Sequence, residues 1–99
     1  MLNLSKENII EFLQKNKPYI SENYGVVSIG LMGSFARDEQ TDESDIDVIV
    51  EFTEVNYHFL AGLCIFLEKN FNRKVDIIRK RDNMKKSLLD ISNKEAIYA

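Results

Sequence analysis

With 99 residues the chain has room for one domain, 1–99, and none for a second. A content of 44% hydrophobic and 29% charged residues, with one proline and four glycines, excludes a disordered or fibrous chain. The net charge of −3 gives no global attraction to nucleic acid or to an anionic membrane, so direct nucleic-acid binding is not expected.

The opening MLNLSKENII lacks the basic region and apolar run of a secretory signal. No apolar run is long enough to span a bilayer, and the expected location is the cytoplasm. Ser5 is placed to cap a helix whose first turn holds Glu7, and Leu4 and Ile9 have the spacing of a hydrophobic staple. Ile9, Ile10, Phe12 and Leu13 continue it as an apolar stripe. Pro18 suits the first turn of a new helix, so a second short helix is predicted through Glu22, with Gly25 as its stop.

Val26 to Met32 reads as a strand, covered on both faces because its apolar residues do not alternate cleanly. Gly33-Ser34 breaks it, a short helix is predicted over 35–39, and the polar stretch Gln40 to Ser44 reads as a loop. Residues 45–52, DIDVIVEF, are the clearest strand, rich in β-branched side chains. Leu60, Leu63, Cys64, Leu67 and Phe71 then recur at helical spacing over 57–71. A third strand is predicted over 73–78 and a final helix over 82–94. Helices between strands imply an α/β (α+β) fold with a small mixed sheet packed against helices. Cys64 is the only cysteine, so no disulfide can close within the chain.

The charge is unevenly placed. Residues 38–54 hold eight acidic residues and no basic one, whereas 69–86 hold eight basic residues. A charge run is ordinarily a solvated face, but this acidic run continues into an apolar strand, which solvation does not explain. Asp45 and Asp47 stand at i and i+2 and so share a side of the strand, with Cα atoms about 6.5–7 Å apart. Two carboxylates that close repel, and a hard divalent cation is the natural counter-charge. Asp76 interrupts Val75-Asp76-Ile77-Ile78 where an apolar residue would be expected. If the strand of Asp76 lies beside that of Asp45 and Asp47, three carboxylates converge as a metal site, with Asp76 the best candidate to help deprotonate a nucleophile. Gly33-Ser34, between a strand and a helix, can present amides and a hydroxyl to phosphate, and Arg37 one turn on can reach the same anion. No Gly-Lys-Ser/Thr follows, so this is not a P-loop.

Gly33-Ser34, ten residues, then Asp45-Ile46-Asp47 resembles the signature of the minimal nucleotidyltransferases of the DNA polymerase beta superfamily. GSFARDEQTDESDIDVIVEF resembles their core, and KVDII the strand carrying the third carboxylate. The likeness extends from LSKENIIEFLQKNKP to KEAIYA. It implies a polymerase beta palm-like fold and transfer of a nucleotide from ATP. Gly33 and Ser34 would contact the β and γ phosphates, Asp45 and Asp47 would hold two magnesium ions, and Asp76 would complete the site. Many small members are antitoxins encoded beside an all-helical HEPN-type ribonuclease toxin and resemble adenylyltransferases that place AMP on a toxin tyrosine. Asp38, where glycine is usual, and Met32, where phenylalanine is common, depart from the pattern without removing a metal ligand. Two alternatives stay open: an antitoxin acting by contact alone, and transfer to a small molecule such as an aminoglycoside. In so short a chain, a partner or a second copy in a homo-oligomer is expected to complete the acceptor surface.

Overall fold

A computed structural model of the chain describes residues 4–80 and 96–99. Helix α1 runs Lys6–Tyr24, strand β1 Val26–Met32, helix α2 Gly33–Ala36 and strand β2 Ile46–Phe52. Helix α3 follows over Tyr57–Phe71, then β3 over Val75–Arg79 and β4 over Ile97–Tyr98. The helix predicted over 82–94 lies outside the described residues.

The four strands form one mixed sheet in the order β3-β2-β1-β4. β1 pairs antiparallel with β2 and with β4, and β2 pairs parallel with β3. A parallel neighbour needs a crossover, and α3 is that connection. Ile46, Val48 and Val50 alternate onto the face that joins Ile9, Leu13 and Ile20 of α1 and Leu63, Leu67 and Phe71 of α3 in one buried core. Asp47, at the intervening position of β2, therefore projects on the side turned away from that core.

Ser5 caps α1 as expected, its Oγ accepting from the Asn8 amide at 3.2 Å. The predicted break at Pro18 does not occur, and one helix of 19 residues passes through it. Leu13 and Ile20 flank the proline and are both fully buried. Breaking the helix between them would withdraw one from the core, at roughly 1.5–3 kcal/mol for a large aliphatic side chain. Pro18 itself is exposed. Its cost is the lost bond to the Gln14 carbonyl and the crowding of that turn. Pro18→Ala is accordingly expected to stabilise the chain by about 1–2 kcal/mol, less than the full helix penalty because proline also restricts the unfolded chain. A thermal melt reads this as a rise of several degrees; an unchanged or lower midpoint would count against the account of Pro18.

α3 lies against α1 through rings, with Phe12 4.9 Å from Phe71 and Tyr19 5.1 Å from Phe66 between centroids. Gly62, a weak helix former, has its reason here: a Cβ would come 2.7 Å from Tyr24 Cε1. Strand β4 was not predicted. Two residues carry too little pattern to read, and they become a strand by pairing with Gly30 and Leu31.

Candidate active site

Three segments meet at one end of the sheet: the turn leaving β1, the start of β2 and the start of β3. Asp47 and Asp76 are Cα partners across the parallel β2–β3 pair, so their side chains leave the same face side by side. Asp45 stands immediately ahead of β2 rather than inside it. Its carboxylate lies 3.9 Å from Lys74 Nζ. Among the described residues, no three His, Cys, Asp or Glu side chains are drawn into a ready-made metal cage. Asp47 and Asp76 are thus the adjacent pair, and Asp45 is a neighbour whose charge is shared with Lys74.

The electrostatics of Asp47 report the same crowding. Burial pushes its carboxyl above the ordinary range, the negative charges of Asp76 and Asp45 add to this, and the Arg37 cation opposes it. Three of the other residues singled out in the sequence, Asp76, Asp45 and Arg37, are thereby within electrostatic reach of Asp47.

Gly33 and Ser34 are brought to the same place from β1. Met32 pairs with Asp47, and the next residue, Gly33, turns at φ 72°. A Cβ at Gly33 would overlap Asp47 Oδ2 and lie 3.2 Å from its Cγ. The glycine therefore does two things: it permits the left-handed backbone and it leaves room for the carboxylate. Ser34 follows Gly33 in the first turn of α2. α2 ends at Ala36, before the predicted limit of 39, because Asp38 takes a left-handed φ of 57°. Glycine suits that conformation, which is the physical sense of the departure noted at Asp38. Its carboxylate accepts from Lys6 Nζ at 2.9 Å, so the charge is held by α1. Arg37 caps α2, with Nε 3.3 Å from Glu39 Oε2.

The donor set suits magnesium. The cation usually takes one or two carboxylates and fills its other positions with water and substrate phosphate. Asp47 and Asp76 supply hard oxygen donors. The absence of a Cβ at Gly33 lets the backbone of the turn lie directly against the Asp47 carboxylate. A residue the sequence did not flag also belongs here. Arg73 Nη1 donates to the carbonyls of Ser44, Asp42 and Thr41 at 2.7, 3.2 and 3.3 Å. Its only trace in the sequence is membership of the basic run.

The sequence pattern of the nucleotidyltransferase domain family matches residues 7–99. A candidate protein adenylyltransferase of Methanocaldococcus jannaschii is 49% identical over 76 residues, which is 74% of this chain and 76% of that protein. The protein adenylyltransferase MntA of Thermococcus cleftensis is 30% identical over 99 residues, 99% of each chain. Among solved structures, a candidate minimal nucleotidyltransferase superimposes with a TM-score of 0.79 at 26% identity, covering 98% of both chains. The structure of a tri-AMPylated Shewanella oneidensis HEPN toxin with its MNT antitoxin matches in fold alone, with a TM-score of 0.56 at 20% identity over 94% of this chain and 66% of that one.

Proposed function

The chain belongs to the nucleotidyltransferase domain family, and on that premise we propose that it moves AMP from ATP, with magnesium, onto a tyrosine of an all-helical HEPN-type ribonuclease toxin and so acts as its antitoxin. The observation that carries this reading is the close approach of the Gly33 turn to the Asp47 carboxylate, with Asp76 in register beside it. A triphosphate held at that turn has its phosphates beside the carboxylates. The kinship with protein adenylyltransferases supports AMP as the group moved, and the fold shared with an MNT antitoxin supports the partner.

In this reading Gly33 and Ser34 hold the β and γ phosphates, with Arg37 adding charge. Asp45, Asp47 and Asp76 hold the metal. Bound magnesium supplies the positive charge that offsets the triphosphate and favours attack at phosphorus. Asp76, on β3 at the end of the described strand order, would meet the incoming acceptor. The phenol oxygen bonds to the α-phosphorus, the bond to the bridging oxygen breaks, and pyrophosphate leaves. The phenol proton passes to Asp76.

The test combines the chain, magnesium, labelled ATP and an all-helical HEPN-type toxin, the neighbouring reading frame being the place to look for one, and follows label onto a tyrosine. Ser34→Ala should reduce catalytic efficiency by about 10–150-fold, the worth of one hydrogen bond to a charged group. It should leave affinity for the unmodified partner nearly unchanged, because a protein interface spreads over many residues. If wild type labels no protein with any nucleotide, yet binds and silences its partner, the contact-only reading replaces this one. Label on a small molecule alone would instead favour the third reading.

A further inference from the structure

We infer that Arg73 is a positioning residue for AMP transfer, tying the phosphate turn to the carboxylate strand through one guanidinium. The inference rests on the function proposed above and adds a residue to it. The loop between α2 and β2 is met at its two ends by Lys6, at Asp38, and by Lys74, near Asp45. Thr41 and Ser44 close a turn on themselves, with the Thr41 amide 2.8 Å from Ser44 Oγ and the Ser44 amide 3.1 Å from the Thr41 carbonyl. Among the described residues, these bonds stay within the turn and do not reach the sheet. Arg73 reaches the turn from outside, because the two hydrogens at Nη1 are shared among three loop carbonyls, with the shortest contact, 2.7 Å, to Ser44. The Ser44 carbonyl belongs to the peptide plane that joins Ser44 to Asp45. Fixing that plane fixes the position of the Asp45 amide and Cα, from which its carboxylate is carried.

The same guanidinium lies 5.3 Å from the ring centroid of Phe35. Phe35 is 1% exposed and directly follows Ser34. Arg73 itself stands three residues before Asp76. Its neighbour Lys74 reinforces the junction, the Lys74 carbonyl accepting from the Ile46 amide at 3.0 Å. One side chain thus touches the two segments bearing the phosphate turn and Asp45, and is carried on the segment bearing Asp76. The task calls for arginine. A planar cation can stack on a ring with its face while its edge donates to carbonyls. A lysine ammonium can satisfy one demand or the other. The loop is also acidic, holding Glu39, Asp42 and Glu43, so an anchoring group must be cationic.

The experiment uses the full chain with Arg73→Lys and Arg73→Gln. Displacing a reacting group by about 1 Å costs on the order of 100-fold. Both variants should therefore lose about 10–100-fold in kcat for AMP transfer at saturating ATP. The KM for ATP should move by less than about threefold, since Ser34 and Arg37 are intact. Lysine keeps the charge and should not rescue. A residue needed only for folding would lower the melting temperature and leave kcat per folded molecule unchanged. A second measurement does not depend on activity: amide hydrogen exchange over 39–45 should quicken by about tenfold or more, with β1 and α3 unaffected. Retention of kcat within about twofold by the lysine variant overturns the inference. So does unchanged exchange of the loop in both variants. If wild type transfers no AMP, the proposed function fails on that ground and the exchange measurement alone decides Arg73: quickening confined to 39–45 upholds the clamp, and no change overturns it.

Discussion

Asp47→Asn should abolish most AMP transfer while leaving a folded protein. The carboxamide keeps the shape and hydrogen-bonding reach but removes the charge a divalent cation needs. A fall of at least about 100-fold in incorporation is expected, the scale of losing a principal electrostatic contribution to a transition state. Stability should move the other way. In the folded chain Asp47 is pushed up by burial and by Asp76 and Asp45, so the folded state binds its proton more readily than the unfolded state. The stability this group contributes is complete below the unfolded pKa and is lost as pH rises through the folded one. Melting without metal, followed from about pH 4 to about pH 7, should show that decline in wild type and a smaller one in Asp47→Asn. Near-normal incorporation by the folded variant at saturating magnesium would refute the metal role of Asp47.

Gly33→Ala should be nearly as damaging, for a different reason. An alanine at φ 72° costs about 1–2 kcal/mol in backbone strain alone. Its Cβ also overlaps Asp47 Oδ2, so the turn, the carboxylate or both must move. A displacement of about 1 Å is enough for a loss on the order of 100-fold in transfer. Total destabilisation of about 2–3 kcal/mol should lower the melting temperature by about 10–20 °C. The overlap can be separated from the strain by a double-mutant cycle. In an Asp47→Ala background the obstructing carboxylate is gone, and Gly33→Ala should cost less than in wild type. Equal costs in both backgrounds would mean that the contact between Gly33 and Asp47 has no energetic weight.

These results turn on features of unequal visibility in the sequence. The β-branched run after Asp47 declared a strand, because pleated, half-buried surfaces favour such side chains. The alternation of that strand put Asp45 and Asp47 on one side. Asp76 stood out because a charge inside an apolar segment needs a reason. The Gly-Ser turn stood out because it ended one strand and opened a helix. Local chemistry of this kind is written into spacing, and the fold class followed from it.

Local rules failed where distant parts of the chain overrode them. Pro18 should end a helix, yet Leu13 and Ile20 both reach the same core and hold the helix together through it. Ile97 and Tyr98 form a strand only because β1 offers an unpaired edge. The alignment of Asp47 with Asp76 depends on the register of two parallel strands joined by α3, and no spacing within either strand encodes it. The clamp of Arg73 on the carbonyls of residues 41, 42 and 44 spans about thirty positions. By itself the sequence determined which residues could do chemistry, since residue type and local period are one-dimensional properties. Only the tertiary structure decided which of them meet: Asp47 beside Asp76, the missing Cβ of Gly33 over Asp47, and Asp45 drawn toward Lys74. Those meetings are set by strand register and shared burial, which depend on the whole chain at once.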